Sequence, residues 1–118
     1  MKEMTVVYVE DDEEMRESIA RLLRRRVGAL HLATNGKEGL ELVRRAEPAL
    51  VLTDLEMPEM NGIEMIHRIR EELSSSVPII VITAYNDNDH FTEKANRYVF
   101  KPVNTEELFA TMGELASR

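Results

Sequence analysis

The chain has 118 residues, 43% hydrophobic and 31% charged, which suits one folded domain with a single core and excludes a disordered chain. Its formal net charge of −7 argues against direct nucleic-acid binding, and the lack of cysteine excludes disulfides, thiolate zinc sites and cysteine nucleophiles. No apolar run approaches the ~20 residues of a membrane span, and Met1-Lys2-Glu3-Met4 leads into a strand with no signal-peptide core, so a cytoplasmic location is expected.

Thr5-Val6-Val7-Tyr8-Val9 is a β-branched and aromatic run, read as the first strand. It ends in the acidic run Glu10 to Glu14. Met15, Ile19, Leu22 and Leu23 then fall on one stripe of a first helix, which Gly28 stops. Arg21, Arg24, Arg25 and Arg26, the only dense basic patch, read as that helix's solvated end. Ala29 to Ala33 is a weaker second strand.

Asn35-Gly36-Lys37-Glu38 has the form of a capping box, and the helix behind it turns Leu40, Val43 and Ala46 inward, with Pro48 at its far side. Ala49 to Thr53 is the third strand, and Asp54 appears where its apolar run stops. Pro58 excludes a continuing central strand, and Asn61-Gly62 supplies turn chemistry before a third helix that buries Ile66, Ile69 and Leu73.

After Ser74-Ser75-Ser76, Pro78 to Thr83 is the purest apolar run, as a central parallel strand requires. Asp87 to Asn96 is a poor helix, with only Phe91 and Ala95 as apolar anchors. Arg97 to Phe100 is the fifth strand. A cap-like start from Asn104 to Glu107 opens the last helix, whose stripe is Leu108, Met112, Leu115 and Ala116.

Five strands alternating with five helices predict a three-layer α/β domain, a parallel sheet with helices on both faces. Ligands of such sheets bind beyond the carboxyl ends of the strands. At those ends stand Glu10 and Asp11, Asp54, Thr83 and Lys101. Each has a plain reading alone: charge at a helix start, a turn residue, a β-branched strand residue, a surface lysine. Their coincidence at corresponding strand ends is far harder to explain that way.

Three crowded carboxylates repel unless one takes a proton or a divalent cation intervenes, and an all-oxygen ligand set suits magnesium. A hydroxyl and an ammonium beside such a site want an anion, which a phosphoryl group provides. A carboxylate there can itself accept the phosphoryl group, with positioning and charge neutralisation as the catalysis.

This set resembles the receiver domains of two-component response regulators. The resemblance rests on Glu10-Asp11, on Asp54 with Met57-Pro58 and Asn61-Gly62 behind it, on Thr83-Ala84, and on Lys101-Pro102. It covers essentially residues 1–118 as one domain, and it alone implies the doubly wound, flavodoxin-like strand order 2-1-3-4-5. It further implies that Asp54 accepts a phosphoryl group from the phosphohistidine of a histidine kinase or phosphotransfer protein. Asp11, Asp54 and the Glu56 backbone carbonyl would bind Mg²⁺ (or Mn²⁺), with Glu10 acting through a water. Lys101 would pair with phosphoryl oxygens, and a cis peptide bond would precede Pro102. Thr83 would move toward the phosphoryl group and Tyr98 would turn inward, switching an output surface for a downstream protein. The domain would be a phosphoacceptor assisting its own phosphorylation and dephosphorylation, not an enzyme.

Glu56 and Tyr85, two residues past Asp54 and Thr83, are expected to set hydrolysis of the phosphoryl group by controlling how water approaches. His31, His67 and His90 are scattered and read as surface or partly buried residues, not ligands. Thr83 and Lys101 are 18 positions apart, several fewer than in typical members, so a shortened fourth helix is expected. Three other readings compete. An aspartyl-phosphate phosphohydrolase needs a second Asp where Glu56 stands. A flavodoxin-like FMN carrier needs a glycine- and hydroxyl-rich loop where Glu10 to Glu14 stand. A degenerate receiver would act as a phosphorylation-independent interaction module, against an intact set of site residues.

Overall fold

The computed structural model describes residues 3–116. The apolar runs become strands β1 (Thr5–Val9), β2 (Ala29–Ala33), β3 (Leu50–Thr53), β4 (Ile79–Thr83) and β5 (Arg97–Phe100). The amphipathic stripes become helices α1 (Glu13–Leu23), α2 (Gly36–Ala46), α3 (Gly62–Glu71) and α4 (Thr105–Ala116). All strand pairs are parallel, in the order β2-β1-β3-β4-β5. This is the doubly wound, flavodoxin-like arrangement expected. Met1-Lys2, part of the signal-peptide argument, lies outside the described residues.

The two-residue period of a strand sends alternate side chains to opposite faces, and each face has its own core. Val6, Tyr8, Leu50, Leu52, Ile80 and Ile82 pack on one side against Ile19 and Leu23 of α1 and Leu108, Met112 and Leu115 of α4. Val7, Val9, Val51, Ile79 and Val81 pack on the other against Val43 of α2 and Met65, Ile66 and Ile69 of α3. Every residue of β4 is buried, as its unbroken apolar run implies. The edge strand β2 is mostly exposed or half-buried.

Four side chains cap the four helices. Asp12 accepts from Met15 N–H at 3.0 Å, Asn35 from Glu38 N–H at 2.8 Å, Asn61 from Glu64 N–H at 2.9 Å, and Asn104 from Glu107 N–H at 3.0 Å. The Glu38 carboxylate reaches back to Thr34 N–H at 2.7 Å rather than to the cap residue itself.

The expectation of five helices is corrected. Among the described residues there are four α-helices, and between β4 and β5 stands only a 3₁₀ turn, Asn88–His90. Two apolar anchors give a helix no face to bury, so the segment is tied down by polar bonds instead. Arg70 on α3 donates to Lys94 O (3.0 and 2.9 Å), Ser75 O (3.1 Å), Val77 O (2.7 Å) and Asn96 Oδ1 (3.0 Å). Asn96 Oδ1 also accepts from Ile79 N–H at 2.8 Å, joining the segment to β4.

Smaller differences follow from element ends. α3 stops at Glu71, so Leu73 lies beyond the helix, half-buried against the α2–α3 core. Ala116 is exposed at the end of α4. β3 begins at Leu50, although Ala49 N–H still bonds Thr5 O at 2.8 Å.

Gly62 is the glycine that most directly shapes the site. A Cβ there would lie 2.3 Å from Asp54 O and 2.8 Å from Leu55 Cα, both backbone atoms that cannot yield. A Cβ at Gly113 on α4 meets nothing within 4 Å. Chemical denaturation should therefore show Gly62→Ala losing more than about 2 kcal/mol. Gly113→Ala should gain about 0.5–1 kcal/mol from helix propensity. Equal effects at the two glycines would show that the close approach at Gly62 is not what holds the loop.

Candidate functional site

The parallel sheet delivers its strand ends to one edge, and the backbone extends the ladder just past them. Glu10 N–H donates to Ala33 O at 3.0 Å and Asp54 N–H to Val9 O at 3.1 Å. Lys101 N–H donates to Thr83 O at 2.8 Å. The first polar residue after each apolar run is thus fixed by strand pairing, not left to a loop.

Asp54 is nearly buried, with 10% of its side chain exposed. Its Oδ1 accepts Leu55 N–H at 2.6 Å and its Oδ2 accepts the Lys101 ammonium at 2.9 Å. Glu10 is fully buried, and its Oε2 accepts Asp12 N–H at 3.2 Å. Its Oε1 has no hydrogen-bond partner among the described residues and lies 3.7 Å from Lys101 Nζ. Asp11 is exposed at the rim. Arg16 donates to Glu10 O at 2.9 Å, fastening the β1–α1 turn.

Burial, then the neighbouring Asp54 charge, pushes Glu10 up to about 7. Burial works to lower the Lys101 pKa, but the hydrogen bond and charge of Asp54, with Glu10 and Asp11, outweigh it and hold Lys101 raised. One lysine therefore faces more negative charge than it can balance. Oxygens of Glu10, Asp11 and Asp54 lie within 4.8 Å of one another, and Glu10 Oε1 is buried without a donor. An all-oxygen, carboxylate-rich set with one orphaned oxygen fits a hard divalent cation.

The remaining expected residues fall around this centre. Thr83 is buried at the end of β4, and its Oγ1 accepts Tyr85 N–H at 3.1 Å. The Lys101–Pro102 peptide bond is cis, as expected. Tyr98 is half-buried, donates to Thr92 O at 2.9 Å, accepts Thr92 N–H at 2.6 Å and stacks on Phe91 with centroids 5.2 Å apart. Burial raises its pKa. Glu56 and Tyr85 are exposed, and what links them is a residue the sequence reading set aside.

That residue is His90. Its Nε2 lies 2.5 Å from Glu56 Oε1 and its Nδ1 2.7 Å from Asp87 Oδ1, while its ring stacks on Tyr85 at 3.9 Å and 10°. Both nitrogens face carboxylates, so the doubly protonated ring satisfies both, and the bonds to Asp87 and then Glu56 raise the His90 pKa. Glu56 is 34 positions away, and no local pattern could have announced the pairing. His67 meets Thr92 Oγ1 at 3.1 Å, half-buried, and His31 is exposed.

The response regulator receiver domain model matches residues 6–112. The chain belongs to this family. It is 34% identical over 113 residues to an uncharacterised 14.6 kDa protein of Leptolyngbya boryana, covering 92% of this chain and 86% of that protein. It is 34% identical to the response regulator MprA of Mycobacterium leprae, covering 98% of this chain but 52% of MprA. The chain spans about half the length of several curated relatives it matches, MprA among them. Among solved structures, a response regulator from Chloroflexus aurantiacus superposes with a TM-score of 0.88 at 27% identity, over 99% of this chain and 100% of that one. Among the described residues no helix is long and apolar enough to cross a membrane.

The raised Glu10 pKa has a stability consequence with a definite sign. Its folded value, about 7, exceeds the free value of 4.5, so between these the folded state binds more protons than the unfolded. Metal-free stability should therefore fall as pH rises from about 4.5 to 7 and level off above. Denaturant midpoints in EDTA at pH 5 and 7.5 should differ less for Glu10→Gln than for the wild type. Identical pH profiles would mean Glu10 is not the group responsible.

Proposed function

We propose that this receiver domain is an Mg²⁺-dependent phosphoacceptor, with Asp54 taking the phosphoryl group from the phosphohistidine of a histidine kinase or phosphotransfer protein. The observation that carries the proposal is the nearly buried Asp54 carboxylate, hydrogen-bonded to Lys101 at 2.9 Å and grouped with Glu10 and Asp11. A carboxylate used only for packing would not be set among two more acids.

A carboxylate oxygen of Asp54 attacks phosphorus as the phosphorus–nitrogen bond to the donor histidine breaks, the electron pair leaving with the imidazole. Leu55 N–H and Lys101 orient the carboxylate for this in-line attack. Asp11, Asp54, the Glu56 carbonyl and, through a water, Glu10 would hold Mg²⁺ (or Mn²⁺), which would neutralise charge on the phosphoryl oxygens. Lys101 follows the new negative charge, and the Thr83 hydroxyl turns its proton toward it.

Thr83 is bonded to Tyr85 N–H, so its displacement draws the loop behind it, with Tyr98 turning inward as the aromatic readout. The output is a protein surface read by a downstream partner. The net charge of −7 argues for a protein partner rather than direct contact with nucleic acid. The domain assists its own phosphorylation and dephosphorylation and turns over no separate substrate.

Incubation with Mg²⁺ and acetyl phosphate, read by intact mass, should add one phosphoryl group. The gain should vanish in Asp54→Asn and with EDTA, and Lys101→Ala should take up phosphate at least about tenfold more slowly. No gain in a protein that binds Mg²⁺ would instead make this a phosphorylation-independent interaction module.

A further inference from the structure

Two residues expected to govern water at Asp54, Glu56 and Tyr85, stand on different loops, one after β3 and one after β4. Neither Glu56 nor Tyr85 lies within a helix or strand that would aim its side chain. One residue joins them. His90 Nε2 meets Glu56 Oε1 at 2.5 Å while the His90 ring lies flat on Tyr85, centroids 3.9 Å apart.

His90 is itself held. Its backbone N–H donates to Asp87 Oδ1 at 3.0 Å and its Nδ1 meets the same oxygen at 2.7 Å, so Asp87 fixes both backbone and ring. The next residue, Phe91, stacks on Tyr98, whose hydroxyl closes on Thr92 N–H and O. The segment that carries His90 is thus tied to β5 through the residues that follow it. Only 20% of the His90 side chain is exposed, although it sits on a short surface turn.

We propose that His90 is a positioning residue that sets the lifetime of the phosphoryl group on Asp54, by pinning the Glu56 carboxylate and the Tyr85 ring together across the approach to it. The inference rests on the phosphoacceptor reading and extends it to a residue outside the strand-end set. In hydrolysis a water oxygen bonds to phosphorus and the bond from phosphorus to the Asp54 oxygen breaks. The electron pair stays with the carboxylate, and the water's protons pass to inorganic phosphate and solvent. With Glu56 pinned, its carboxylate neither orients that water nor leaves the in-line path open. Without His90, Glu56 is released and Tyr85 loses its stacking partner, so water enters more readily.

The experiment loads the chain with acetyl phosphate and Mg²⁺, removes the donor, and follows loss of the phosphoryl group by intact mass. His90→Ala should lose it roughly 3- to 10-fold faster than wild type, the effect of one net hydrogen bond. His90→Gln keeps a donor for Glu56 and should decay at an intermediate rate. In a Glu56→Ala, Tyr85→Ala background, His90→Ala should add little, because both groups it positions are gone.

A merely structural role would give the same factor in both backgrounds, and that result overturns the proposal. So does an unchanged decay in folded His90→Ala, or in His90→Gln combined with Tyr85→Ala should His90→Ala not fold. A wild type that takes up no phosphoryl group overturns the phosphoacceptor reading, and this inference with it. A wild type that is phosphorylated, beside a variant with unchanged decay, overturns this inference alone.

Discussion

The hydrogen bond from Lys101 to Asp54 joins strand ends that are not neighbours, because β4 lies between β3 and β5. It closes only if β4 and β5 pair in the register that sets Thr83 opposite Phe100, which leaves Lys101 as the next residue out. The same constraint requires that Asp54 not drift, and Gly62 and Leu55 N–H meet that requirement from behind. Buried ion pairs are poor sources of net stability, since desolvation offsets most of their attraction. The pair is better understood as a device for placing a charged carboxylate at a fixed spot, held down by the hydrophobic layers on both faces of the sheet.

That placement leaves a bridging problem between β4 and β5. The connection has too few apolar residues to dock as a helix, yet it must return the chain to the sheet in register. Arg70 solves it by converging four acceptor groups from either side of β4 onto one guanidinium. Burial lowers the Arg70 pKa, though not enough to discharge a guanidinium. Beside this connection Phe91 and Phe100, at 56% and 44% exposure, lie open on either side of Tyr98.

The strands, four helices and the acidic edge were legible because each is written in local pattern: apolar runs, 3.6-residue stripes and polar caps. The strand-end residues Glu10, Asp54 and Lys101 could be paired in advance because sheet topology brings all carboxyl ends together. The segment after β4 was legible only as an absence of helical pattern. What fills that absence is a set of long-range polar bonds, Arg70 to Asn96 and His90 to Glu56, which have no period and no sequence signature. A lone histidine on a polar stretch carries no sign of what it will meet.

These long-range bonds bear directly on how a charge at Asp54 can be felt elsewhere. A ligand or modification shifts a conformation only as far as its contacts differ between two states. Thr83 Oγ1 is bonded to Tyr85 N–H, Tyr85 is stacked on His90, and His90 is bonded to Glu56 and adjoins Phe91, which packs on Tyr98. A hydroxyl drawn toward a phosphoryl group must therefore either break its bond to Tyr85 N–H or carry the whole series with it. Because Glu56 follows Asp54 by two residues, the series ends on the loop that carries Asp54, so under the proposed phosphoacceptor reading the lifetime of the signal and its outward transmission would depend on the same side chains. A coupling of about 1–3 kcal/mol through them would suffice for a useful population shift.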